Sequence, residues 1–294
     1  MKTISRLLTS ALILLFASIT AARAINPQKE YTYTPKDFGI EYIEDSVVTS
    51  DGYRINIWNL PGTEENGRSV LIACADAGNM GQWLGIGATL CFLGYDVWMF
   101  DWRGFGGSQD FATDRDMLYH SEYLRDFGAV LEHVAVLRDK PVDVLAFSMG
   151  TIMVGEHLRQ YPGRKSLIRS CIMDGFISDP AESVRILNGD NDNGSGSDGN
   201  GSDNGKAANS GNDGKSVRLP ATPLLSPGFR PQDISVPMLL IHATEDTVSP
   251  RRLLEPLTAS PLVTLREFDC KHLQAAFTHT EEYFTALDTF LKAH

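Results

Sequence analysis

The sequence predicts an α/β fold in which a mainly parallel sheet of eight strands is flanked by helices. Three observations predict it. Short apolar runs alternate with helix-period segments along most of the chain, the pattern of strands joined by right-handed helical crossovers. Several of those runs, Val70 to Ala75 among them, are continuously apolar, as expected of strands covered on both faces. Ser148 lies between one such run and a helix-forming stretch, with the small residues Ala146 and Gly150 two positions away on either side. At 294 residues, 43% of them hydrophobic, the chain is long enough to bury one large core.

The elements follow in order. Tyr42 to Thr49 and Arg54 to Asn59 read as strands joined by the turn Ser50-Asp51-Gly52. Val70 to Ala75 is the third strand, and Gln82 to Leu93 is a helix that Gly94 terminates. Asp96 to Phe100 is the fourth strand. Tyr123 to Leu137 is an amphipathic helix with Leu124, Phe127, Leu131 and Val134 on one stripe. Val142 to Ala146 leads into Ser148, and Thr151 to Gln160 continues as a helix. Leu167 to Met173, Met238 to His242 and Thr264 to Phe268 complete the sheet, and Glu281 to Lys292 closes the chain as a helix.

Ala146-Phe147-Ser148-Met149-Gly150 has the strand–turn–helix setting of a nucleophile elbow, whose turn is so sharp that only small side chains fit at minus two and plus two. Asp246 follows the seventh strand in Glu245-Asp246-Thr247-Val248-Ser249-Pro250, and His272 follows the eighth in Asp269-Cys270-Lys271-His272. Upstream, Asp101-Trp102-Arg103-Gly104-Phe105-Gly106-Gly107-Ser108 follows the fourth strand. On these motifs, in this order, the chain resembles the α/β-hydrolase-fold serine hydrolases, and most of all the branch similar to monoglyceride lipases and serine aminopeptidases. The resemblance spans roughly residues 41–180 and 235–294.

It implies a Ser148–Asp246–His272 triad. A serine hydroxyl is a weak nucleophile at neutral pH, so His272 would take its proton, and Asp246 would hold the imidazole and stabilise its charged form. Asp174, after the sixth strand, is the rival acid, because some relatives carry the acid there. His120, His133, His157, His242 and His279 read as surface or core histidines, and Asp101 and Arg103 as residues that brace the loop after the fourth strand. One oxyanion donor would be the backbone N–H of Met149 at the start of a helix, where the helix dipole assists. The second falls at Asp76, where Cys74-Ala75 replaces the usual His-Gly pair and a carboxylate stands beside a developing negative charge. No metal or organic cofactor is required.

The implied activity is cleavage of a small-molecule carboxylic ester. A peptidase or amidase uses the same triad, and a non-catalytic binding protein uses the same fold. The net charge of −11 argues against a nucleic-acid partner. Met1 to Ala24 reads as a secretory signal peptide: Lys2 and Arg6 precede an apolar stretch from Leu7 to Ile19, and Ala22-Arg23-Ala24 is a small-x-small cleavage site. The stretch is short for a bilayer core of ~30 Å, so no stable span is expected after cleavage, and the mature chain 25–294 is expected to be secreted or periplasmic. Cleavage removes three cations and no acid, taking the charge to −14.

The strand order implied by the resemblance, 1-2-4-3-5-6-7-8, keeps Cys74, Cys171 and Cys270 too far apart for Cys74–Cys171 or Cys171–Cys270 bridges, so buried thiols are expected. Residues 188–216, almost all Asn, Gly, Asp and Ser, interrupt the rhythm where relatives carry a helical lid. Such a stretch cannot bury enough surface to offset its ordering entropy, so a flexible insertion is expected between arms at Pro180 to Leu187 and Val217 to Phe229. Its aspartates do not have the spacing of an EF-hand calcium loop.

Overall fold

The structure, a computed structural model, describes residues 24–62, 67–188, 218 and 228–294. The expected leader up to Arg23, and nearly all of the expected insertion with its second arm, lie outside the described residues.

Eight strands form one sheet: β1 (Ile43–Val48), β2 (Arg54–Leu60), β3 (Ser69–Ala73), β4 (Asp96–Phe100), β5 (Val142–Phe147), β6 (Ile168–Asp174), β7 (Met238–Ala243) and β8 (Val263–Phe268). Their order is β1-β2-β4-β3-β5-β6-β7-β8. Every pairing is parallel except those of β2, which runs antiparallel to β1 and β4. The largely apolar strands β3, β5 and β7 are buried at every position, whereas the edge strands β1 and β8 alternate with exposed residues.

Helices cover both faces. On one side α2 (His120–Arg138) and α3 (Met149–Gln160) pack Phe127, Leu131, Val134 and Met153 against Val144 of β5. On the other, α1 (Leu84–Phe92) and α6 (Thr280–Ala293) pack Leu90, Leu287 and Leu291 against Leu145 and Ile172. Val144 and Leu145 thus serve opposite cores, as the strand pleat requires. Two short α-helices are also present among the described residues, α4 (Pro180–Leu187) and α5 (Ala275–Thr278).

One buried charge tests this packing. Asp143 in β5 is fully buried and is held by Arg68 at 2.9 Å, Arg169 at 2.6 Å and the Ser170 hydroxyl at 2.6 Å. A carboxylate in a sheet interior is tolerable only when hydrogen-bonded and paired in this way.

The boundaries differ from the sequence reading in instructive places. β3 ends at Ala73 rather than Ala75: the Trp102 indole donates to the Cys74 carbonyl at 3.1 Å and draws the chain out of the sheet. The helix expected from Gln82 is a 3-10 turn, Met80–Trp83, before α1 starts at Leu84; the Asn79 side chain accepts from the Gly81 N–H at 3.1 Å and tightens it. A two-residue parallel pair, Asn26–Pro27 with Ala77–Gly78, has no sequence signal and pins the N-terminal segment across the loop after β3. The four cysteines are buried and form no disulfide.

Candidate active site

The site is assembled where β3, β5, β6, β7 and β8 end. β5 runs into Ser148, whose backbone (φ 45°, ψ −111°) lies in a region that costs a non-glycine residue roughly 1–3 kcal/mol. The surroundings enforce it. Ser148 N–H donates to the Asp174 carbonyl at 3.0 Å, and Thr151 N–H donates to the Ser148 carbonyl at 2.8 Å, opening α3. A β-carbon at Gly150 would collide with the Ala73 carbonyl oxygen, which is why the plus-two residue has no side chain.

Two further loops meet this turn. His272 Nε2 lies 3.0 Å from Ser148 Oγ, and His272 Nδ1 lies 2.6 Å from Asp246 Oδ2. Asp246 is itself held: the Val248 and Ser249 N–H groups donate to Oδ1 at 2.8 Å and 2.9 Å, and the Ser249 hydroxyl donates to Oδ2 at 2.6 Å. Burial pushes the Asp246 carboxyl up, but His272 and these donors outweigh it and hold the group down at about 2. At neutral pH it is therefore an anion facing the imidazole.

Asp174 takes another role. It is buried, accepts a hydrogen bond from the Tyr283 hydroxyl of α6 at 2.9 Å, and is pushed up to about 7 by burial, with the Asp246 charge adding to the effect. The structure thus brings Asp246, rather than Asp174, onto the His272 ring. The remaining histidines stand apart from Ser148. His133 pairs with Asp45 at 2.6 Å; His157 lies between Phe127 and Tyr161, its pKa lowered to about 4 by burial. His242 is buried within β7, His120 opens α2 and His279 precedes α6.

Met149 and Asp76 are the two expected oxyanion donors. Met149 is the first residue of α3, so the positive end of that helix lies beside Ser148 Oγ. Asp76 lies in the loop after β3, its carbonyl accepting from the Asn26 N–H at 2.8 Å. Burial raises the Asp76 carboxyl, while its own N–H and the nearby His272 pull it down, with a net upward shift.

Asp101 and Arg103 brace the surrounding loops. Asp101 accepts from the N–H groups of Met80 at 2.7 Å and Gly107 at 3.0 Å and from the Tyr31 hydroxyl. Arg103 binds Asp126 and Asp51, each at 2.7 Å.

Three site residues escaped the sequence reading. A β-carbon on Gly175 (φ +63°) would lie 2.5 Å from His272 Cε1, so this glycine forms the floor under the ring. Ser249 fixes Asp246, and Tyr283 fixes Asp174. The Asp174-Gly175 pair after a buried strand was the available signal for the first; the other two carry none beyond their residue type.

A family profile described as alpha/beta hydrolase fold matches residues 70–213. No match is found among curated proteins. Among solved structures, the chain is similar to the esterase Pf2001 of Pyrococcus furiosus, at 18% identity and a TM-score of 0.66, over 92% of this chain and 99% of that one. It is also similar to the alpha/beta hydrolase GrgF of Penicillium sp. sh18, at 13% identity and a TM-score of 0.62, over 87% and 99% of the two chains. A thermophilic esterase from Thermogutta terrifontis, solved with malate bound, aligns at 14% identity and a TM-score of 0.57, over 86% and 98%. At such identities the likeness is one of fold, and it agrees with the strand order and the profile: the chain has the α/β-hydrolase fold.

Proposed function

We propose that the protein is a serine hydrolase that cleaves carboxylic esters through Ser148, His272 and Asp246. The observation that carries this reading is the placement of His272 between Ser148 Oγ at 3.0 Å and Asp246 Oδ2 at 2.6 Å, with the serine on a strained turn at the head of α3. Ser148 Oγ attacks the acyl carbon as its proton passes to His272 Nε2. The carbon–oxygen bond to the alcohol then breaks, and His272 returns the proton to the leaving oxygen. Water attacks the acyl-enzyme, gives its proton to His272, and the acid departs as Ser148 recovers its hydrogen. The Asp246 carboxylate stabilises the imidazolium in both halves, and the N–H groups of Met149 and Asp76 face the oxyanion. The reading extends to an exported protein, with 1–24 as its leader.

The test is hydrolysis of p-nitrophenyl esters from acetate to palmitate by the mature chain and by Ser148→Ala. The expected result is turnover that falls with chain length and is lost in the variant. Absence of turnover on every ester, together with no fluorophosphonate labelling of Ser148, would instead favour a binding protein on the same fold.

A further inference from the structure

The turn at Ser148 touches both ends of one loop. Gly150 lies against the Cys74 carbonyl, where the loop leaves β3. The Phe147 ring stacks on Trp83, where the loop closes in its 3-10 turn, with 4.4 Å between ring centroids. Between these two anchors, residues 75–82 belong to no strand of the eight-stranded sheet. They include Asp76, the second oxyanion donor of the hydrolase reading.

The middle of the loop is covered by the segment 25–33. Ile25 is fully buried in the core beside α2, and its N–H donates to the Arg115 carbonyl at 3.1 Å, so the segment starts from a fixed point. Asn26–Pro27 then runs parallel to Ala77–Gly78. The Asn26 N–H donates to the Asp76 carbonyl at 2.8 Å, and the Gln28 N–H to the Gly78 carbonyl at 2.9 Å. The buried Asn79 side chain donates back to the carbonyls of Gln28 at 3.3 Å and Glu30 at 2.8 Å. Tyr31 packs on Trp58, with 4.6 Å between ring centroids, and its hydroxyl donates to Asp101, which accepts the Met80 N–H of the loop at 2.7 Å. A β-carbon on Gly81 would lie 2.6 Å from the Tyr33 carbonyl oxygen, so the cover reaches the final turn.

We propose that residues 25–33 are a strap that positions the oxyanion loop, with Asn26, Gln28 and Tyr31 as positioning residues that act through the loop. The proposal rests on the hydrolase reading above. A two-residue ladder is too short to stand by itself, and here it is anchored on one side by Ile25 and on the other by Tyr31. The bond from Asn26 fixes the backbone just after the Asp76 N–H. The bond from the Trp102 indole to the Cys74 carbonyl at 3.1 Å fixes it just before. An oxyanion donor works only when it is aimed in advance at the place where charge develops. Loosening the strap therefore weakens binding of the transition state and leaves binding of the substrate nearly as it was.

The test compares Asn26→Pro, which deletes the N–H that reaches the Asp76 carbonyl, with Asn26→Ala, which keeps it. Each is assayed on p-nitrophenyl acetate and for inhibition by trifluoroacetone, whose adduct with a serine carries an oxyanion. In Asn26→Pro, kcat is expected to fall by about 10²-fold with KM within about threefold of wild type. The trifluoroacetone Ki should rise by the same factor as kcat falls, and Ki is independent of how much variant enzyme folds. Asn26→Ala is expected to retain kcat and Ki within about twofold, because the backbone donor survives. Should Asn26→Pro yield no folded protein, Tyr31→Phe decides instead: losing one hydroxyl at the far anchor is expected to lower kcat about fivefold or more, with Ki rising in step. Unchanged kcat in the variant that decides, an equal loss in Asn26→Ala, or a kcat loss with Ki unmoved overturns the proposal, while wild-type turnover of p-nitrophenyl acetate leaves the hydrolase reading standing. Absence of wild-type turnover on every ester, with no fluorophosphonate labelling, brings down both.

Discussion

Asp174 ends β6 and Asp246 lies in the loop after the neighbouring parallel strand β7; both are buried, and each sits within electrostatic reach of the same imidazole. Their acidities nonetheless diverge, to about 2 for Asp246 and about 7 for Asp174. Burial pushes both upward, so burial does not separate them. The difference lies in the donors. Asp246 accepts from two backbone N–H groups, a serine hydroxyl and His272, whereas Asp174 has one bond from a tyrosine and feels the charge of Asp246. The loop after β7 is built to keep an anion, and the end of β6 is built to keep a neutral acid at acidic pH.

The most severe way to break this comparison is to remove the anion. Asp246→Asn is expected to lower kcat by about 10⁴-fold, because the imidazole loses both its tautomer and its counter-charge, while Asp174→Asn lowers it by less than about tenfold. Steady-state kinetics on a p-nitrophenyl ester decides; equal losses would mean that the two acids share the work.

Stability against pH sharpens it next. For Asp246, the folded-state pKa is depressed, so its contribution is present above the ordinary carboxylate range and is lost as pH falls toward about 2. For Asp174 the folded pKa is raised, so its contribution is full at pH 4 and below and is lost as pH rises through about 7. Asp174→Asn should therefore flatten the decline in stability between pH 4 and 7, a change of up to about 4 kcal/mol, read from urea midpoints across that range. A decline that persists in the variant would assign it to another group.

The third change acts on the ring that both acids face. Gly175→Ala puts a β-carbon 2.5 Å from His272 Cε1 at a positive φ, so a stability loss of about 1–3 kcal/mol is expected together with a kcat loss larger than any rise in KM. Unchanged kcat would show that the ring can shift without consequence. The smallest effect is expected from Tyr283→Phe, which leaves Asp174 without its donor. It should cost about 1–3 kcal/mol at neutral pH, raise the Asp174 pKa further, and change kcat by less than about threefold.

Much of this was legible in the sequence because it is local. The largely apolar runs marked the buried strands β3, β5 and β7 to within two residues at either end. The small residues around Ser148 announced a tight turn, since the steric demand of such a turn acts within five consecutive residues. Asp246 and His272 were legible through their positions just after strands and through the family resemblance. Gly175 was not, because its lack of a side chain answers to a ring 97 positions away in the chain. Tyr283 and Ser249 carry no pattern that distinguishes them from other residues of their type. The pairing of Asn26–Pro27 with Ala77–Gly78 is likewise silent, since two residues are too few for a period-2 signal.

The sequence by itself determined the layered α/β architecture, the turn at Ser148 and the chain order of the residues that meet there. All of these depend on side-chain volume and hydrophobic period, which act over a few neighbours. Only the tertiary structure decided which acid reaches His272 and why Asp174 holds its proton. Each of those depends on donors and charges contributed by distant segments, and a carboxylate's acidity is a property of its surroundings rather than of its place in the chain.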